Sequence, residues 1–248
     1  MIDQIRDTFN GKTTGTYMLI LCSLGITIAA MLFPNLQNVY GLFHSEAELK
    51  FFTYLFYHGF DEGSSMIHLI LNITLLIMIG NFCEKIMGRF VFLVHMTAVA
   101  TIYALILRQT DIWHLAATGY TFSLFPVVQY ALYESRRIKT RSIYDDHYRL
   151  LKLLTIIALI VVPIINIFLQ FFLRGNIPYS EAAYHGLIPF AVAYGIGIVG
   201  MLVVRPFVKR KLRVFHKKKK FVESNLDKAA GFVIYLMPAY LLVVFLAS

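Results

Sequence analysis

The sequence predicts an all-α polytopic membrane protein with seven spanning helices. Of its 248 residues, 58% are hydrophobic and 15% are charged; a soluble domain carries about 25% charged residues. The apolar residues fall into blocks of about 18–22, the length that crosses a bilayer as a helix. Lysine and arginine are also distributed very unevenly among the connections between these blocks.

The first fifteen residues are polar, with Asp3, Asp7 and Asn10, and do not read as a cleavable signal peptide. The spans fall at about Tyr17–Phe33, Ser65–Phe82, Phe90–Leu107, His114–Tyr133, Leu151–Phe172, Ser180–Val204 and Ala230–Ala247. The chain thus divides into an N-terminal segment 1–16, a six-helix core 17–204 with a long loop 34–64, a basic segment 205–229 and a seventh helix 230–248. Within the loop, Phe51–Tyr57 is too short to span and too apolar to be freely solvated, so it is expected at the membrane interface. Cys22 and Cys83 fall in or beside apolar runs and imply no disulfide framework.

Twenty of the lysines and arginines lie on one side of the expected membrane, and only Lys50, Arg108 and Arg174 on the other. Positively charged loops stay cytoplasmic, so the N-terminus is expected in the cytoplasm and the C-terminus outside. The richest segment, Arg205–Lys228, contains Lys209-Arg210-Lys211 and Lys217-Lys218-Lys219-Lys220, flanked by Phe215 and Phe221. Lys209–Lys220 is expected to meet anionic lipid head groups, each basic residue contributing about 1 kcal/mol near such a surface; no nucleic acid partner is expected.

This orientation assigns depths. His68 falls in the first turn of the second span and Asn72 one turn deeper, on the same helix face. Thr118 and His185 lie about one turn into the fourth and sixth spans. A hydroxyl beside an imidazole is a nucleophile–base arrangement, and a second histidine with an asparagine can donate to an oxyanion. Each residue also has a structural reading. His68 can bond a backbone carbonyl, Asn72 can tie helices together, and Thr118 can bond the carbonyl four residues back. His95 reads as a bonded core histidine. His58 and His114 lie near the outer side, but no HxxxH or HExxH spacing is present, so neither a metal site nor a cofactor is expected.

Several motifs resemble those of the rhomboid intramembrane serine proteases. His68-Leu69-Ile70-Leu71-Asn72 resembles the HxxxN that opens their second helix. Leu49-Lys50-Phe51-Phe52-Thr53, followed by His58, is similar to their W-R-x-x-T…H stretch, with Leu for Trp and Lys for Arg. Glu84-Lys85-Ile86-Met87-Gly88 resembles their E-x-x-x-G, and Tyr184-His185-Gly186 the A-H-x-x-G of the base histidine. The resemblance covers about Gly41 to Val204. It implies a six-helix rhomboid-like core plus a seventh transmembrane helix, with His185 as base, His68 and Asn72 at the oxyanion, and Glu84, Gly88 and Gly119 as structural motif residues.

One departure falls on the nucleophile. Where rhomboids carry G-x-S-G, this chain has Ala116-Ala117-Thr118-Gly119. A register with Thr121 as nucleophile is the alternative, but Gly119, Phe122 and Leu124 fit the pattern when Thr118 holds the position; Ser123 lies over a turn deeper. Threonine keeps the oxygen but adds a methyl and a stiff χ1, and forcing a methyl into a packed site costs about 1–3 kcal/mol. Ile188 and Val192 also stand where rhomboids place small residues, which is expected to hold the sixth helix off the fourth. The small residues Ala191, Gly195 and Gly197 fall deeper or on another face. The expectation is a pseudoprotease that binds transmembrane client proteins without cleaving them. The alternatives are an active protease with a threonine nucleophile, and a structural subunit of a larger membrane complex.

Overall fold

The computed structural model describes residues 13–33, 64–108, 116–137, 178–218 and 224–234, and most of 152–168; at several helix ends, among them 64–68, 116–120 and 185–186, it describes the backbone alone. Residues 34–63 of the loop, with Lys50, Thr53 and His58, and also His114, lie outside the described residues. The elements are helices α1 (Thr14–Leu32), α2 (Ser64–Leu75), a π turn (Leu76–Gly80), α3 (Asn81–Met87), α4 (Arg89–Arg108), α5 (Ala116–Arg137), α6 (Thr155–Ile165), α7 (Tyr179–Lys218) and α8 (Asn225–Ile234). No strand occurs among the described residues. Among the described residues, three stretches are long and apolar enough to cross a membrane: Leu69–Met87, Arg89–Ile106 and Leu187–Phe215. Thr14–Ala29 and Thr155–Ile165 are shorter apolar helices.

Burial sorts each helix into a packed and a lipid-facing side. On α1, Leu19, Ile20, Ser23, Ile26 and Thr27 are buried, whereas Leu21, Ile28 and Leu32 are exposed. The alternation follows the helical period, and exposed leucines meet lipid rather than water. The second expected span is one run of helix interrupted by the π turn, a feature often found at functional positions. From Ile79 to Glu84 every residue is buried, because α3 is wrapped by α1, α4, α5 and α7.

α5 is the least apolar of the long helices, yet Thr121 to Val128 are all buried. Surrounded by protein, it need not present an apolar surface to lipid, and polar side chains inside a bundle can bond across helices. On α4, the buried His95 Nε2 has no hydrogen-bond partner among the described residues, so the expected bond is not found there. α7 passes close by: a Cβ on Gly200 would lie 2.5 Å from His95 Cε1.

α7 differs most from expectation. Its forty residues run well past Val204, where the sixth span was expected to end. At 1.5 Å per residue it is about 60 Å long, roughly twice the hydrocarbon thickness. The reason is a continued buried face: Val204, Val208, Leu212 and Phe215 recur at helical spacing and are all buried. The basic segment is therefore partly an extension of the bundle.

Candidate functional site

The end of the bundle at the starts of α2, α5 and α7, termed the outer end after the orientation expected from the charge bias, carries the residues that resemble a proteolytic site. Asn72 is buried on α2, one turn after His68. Thr118 is the third residue of α5 and His185 the seventh of α7. For His68, Thr118, Gly119 and His185 the backbone alone is described, so whether their side chains meet lies outside the described residues.

The packing beneath those positions is described. α5 and α7 run parallel and share the most extensive helix contact in the bundle. The Phe122 and Phe190 rings meet edge to face, with centroids 4.5 Å apart, and Phe122 also packs on Phe125 at 5.0 Å. Phe122 is four residues after Thr118 and Phe190 five after His185, so the aromatic contact lies about one turn below both. Ile188 and Val192 pack partly buried against the core.

The closest approach comes deeper. A Cβ on Gly197 would strike the backbone oxygen, Cα and carbon of Ser123, so the two backbones touch where only glycine leaves room. Gly195 faces open space and Ala191 is exposed. Of the three small residues, Gly197 alone serves the α5–α7 contact, and it does so below the expected site. Further in, Tyr194 Oη donates to Gln129 Oε1 at 2.7 Å, and Arg205 Nε donates to Tyr130 Oη at 3.3 Å with its guanidinium 5.5 Å from the Tyr130 ring centre. Lys209 Nζ stands 3.9 Å from the buried Glu134.

At the inner end, a continuous polar network joins five helices. Glu84 is 3% exposed and both of its oxygens accept hydrogen bonds. Oε1 accepts from Gly15 N at 3.0 Å and Arg89 Nε at 3.2 Å. Oε2 accepts from Thr16 N at 2.7 Å and Thr16 Oγ1 at 3.0 Å. Two of these donors are orphan amides of the first turn of α1, where a carboxylate also meets the positive end of the helix dipole.

Arg89 carries the network onward. Its Nη1 donates to the Asp227 backbone oxygen at 3.0 Å. The Asp227 carboxylate accepts from Phe90 N at 3.2 Å on Oδ1, and from Lys211 Nζ at 2.7 Å, Ser224 N at 2.9 Å and Ser224 Oγ at 2.8 Å on Oδ2. Ser224 Oγ accepts in return from Asp227 N at 3.2 Å. That reciprocal pair is a capping box for α8, with aspartate in the third position. Burial pushes the Asp227 carboxyl up, but the hydrogen bonds from Lys211 and Ser224 and the Lys211 charge outweigh it and hold the group below the ordinary carboxylate range. Gly88 joins α3 to α4 with φ of 86°, a conformation glycine adopts without strain. A Cβ there would also lie 2.6 Å from Asp227 Oδ1.

The Rhomboid domain family model matches residues 46–183, more than half of the chain. The chain belongs to the rhomboid family. No curated protein and no solved structure gives a match. The rhomboid match takes in Asn72, Glu84, Gly88 and Thr118 and ends two residues before His185. Arg205, Lys211 and Asp227 also lie beyond it, so the inner network ties the rhomboid domain to segments that follow it. Sequence reasoning missed Arg89, Lys211, Ser224 and Asp227 as members of that network. The Ser224-Asn225-Leu226-Asp227 capping pattern before an apolar run was the available signal. The partners of Asp227 in Arg89 and Phe90, 138 and 137 residues away, left none.

Proposed function

We propose that this rhomboid-family membrane protein is a pseudoprotease that binds transmembrane client proteins without cutting them. The observation that carries it is Thr118 at the position where the family's motif places serine. The added methyl restricts the hydroxyl, and threonine nucleophiles that work use the chain's own N-terminal amine as base, which an internal residue lacks. Each 1.36 kcal/mol lost from transition-state stabilisation costs about tenfold in rate. The purified protein, offered a rhomboid-cleavable transmembrane substrate, should retain it uncut. Cleavage that disappears in Thr118→Ala would overturn this reading.

A second reading is an active protease in which Thr118 attacks, His185 takes the proton, and His68 and Asn72 hold the oxyanion. What supports it is the aromatic contact between Phe122 and Phe190 one turn below both reacting positions. Thr118→Ser is the informative variant: if it yields no proteolysis either, the site is not merely altered at its nucleophile and this reading loses its basis. A stoichiometric partner on purification would instead favour the structural-subunit reading. The charge bias supports a cytoplasmic N-terminus and an extracytoplasmic C-terminus, which reporter fusions at each end would test.

A further inference from the structure

The inner third of α7 has three faces that divide its basic residues by task. One is buried and carries Val204, Val208, Leu212 and Phe215. Beside it, Lys209 and Lys211 reach the carboxylates of Glu134 and Asp227. On the face opposite the buried one, Arg210, Arg213 and Lys217 recur at i, i+3 and i+7 and are all exposed. None of the three makes an ion pair or hydrogen bond among the described residues. The same face continues toward the outer end as an exposed apolar stripe, with Val199 at 64%, Val203 at 67% and Phe207 at 48% exposure.

We infer that Arg210, Arg213 and Lys217 form a docking stripe for anionic phospholipid head groups. The change from apolar to basic along one exposed helix face, between Phe207 and Arg210, is what a helix leaving hydrocarbon for the head-group layer requires. The basic stretch spans about 10 Å along the axis, comparable with that layer. A soluble polyanion would explain the charges but not their alignment with the apolar stripe. The inference divides the Lys209–Lys220 stretch: Lys209 and Lys211 serve the fold, and the stripe serves the lipid.

The full chain is reconstituted in nanodiscs of mixed phosphatidylcholine and phosphatidylglycerol carrying a trace of either lipid in spin-labelled form. The fraction of motionally restricted label gives the relative association of each. The expected result is preferential association of phosphatidylglycerol, weakened by added salt. The preference should fall at least about fivefold in the triple variant Arg210→Gln/Arg213→Gln/Lys217→Gln, the factor that one basic residue alone contributes near a charged surface. Lys209→Gln and Lys211→Gln should keep the preference and lower the melting temperature. Retention of the preference by the triple variant would overturn the proposal, as would equal loss in Lys209→Gln and Lys211→Gln. Displacement of the labelled lipid by equimolar inositol hexakisphosphate would reassign the stripe to a soluble polyanion and overturn it too. Client retention is scored in the same samples, so a failed lipid preference is distinguishable from a failed pseudoprotease.

Discussion

At the inner end of the bundle, all four carboxylate oxygens of Glu84 and Asp227 meet donors, drawn from α1, α4, α7 and the cap of α8. At the outer end, the heads of α2, α5 and α7 carry His68, Thr118 and His185 above a contact of two phenylalanine rings. The first is fixed by directional bonds between segments far apart in sequence; at the second, the contact described between α5 and α7 is aromatic packing. Directional bonds in a place of low dielectric are strong when satisfied and costly when broken. The comparison predicts that the integrity of the fold and the properties of the candidate site can be separated along the bundle. A threonine at position 118 leaves the inner network untouched.

The largest test of this separation is Asp227→Ala. It removes the carboxylate that Lys211 Nζ meets at 2.7 Å and that accepts from the amides of Phe90 and Ser224. The Lys211–Asp227 pair is part-buried, so the cost should fall somewhat below the about 3–5 kcal/mol of a fully buried pair; thermal unfolding in detergent should still fall clearly, while Thr118→Ala should move it far less. If the two variants melt alike, the division between the ends is wrong. Next comes Gly197→Val, which drives a side chain into the Ser123 backbone. Overpacking costs about 1–3 kcal/mol, and helix separation should appear as a lengthened distance between spin labels on α5 and α7.

Acid gives a milder version of the first test. The Asp227 carboxyl titrates below its ordinary range in the folded chain, against about 3.9 unfolded. Its contribution is therefore fully present above about pH 4 and lost as pH falls through the folded value. Melting temperature should drop on acidification below about pH 4, and Asp227→Asn should flatten that part of the profile. The smallest effect is expected for Lys209→Gln. Its ammonium is partly exposed and stands 3.9 Å from the buried Glu134, at the long limit of an ion pair, and glutamine can still donate to that carboxylate, so the cost should stay at about 1–2 kcal/mol. A larger loss of melting temperature would mean that the α5–α7 seam relies on that charge.

Much of the fold was legible because its causes are local. Apolar block length marks the spans, and Glu84 and Gly88 stood out by their resemblance to the rhomboid E-x-x-x-G. The end of α7 was misplaced because charge dominates the reading of 205–218, whereas Val208, Leu212 and Phe215 keep a buried face through it. The π turn left no signal, since Leu76–Gly80 is as apolar as any helix. At the candidate site, the placement of His68, Thr118 and His185 near the starts of α2, α5 and α7 was legible. The Gly197–Ser123 contact was not, because it depends on how two helices cross.

Asp227 also has a consequence in time. Ribosomes make Gly15, Thr16, Glu84 and Arg89 long before they reach Asp227, which is 138 residues beyond Arg89. Until then the Arg89 guanidinium lacks its second acceptor and the Lys211 ammonium its carboxylate. The inner end closes only when the start of the last described helix arrives. A chain halted before that point would hold Arg89 and Lys211 without the Asp227 groups that both meet in the finished fold.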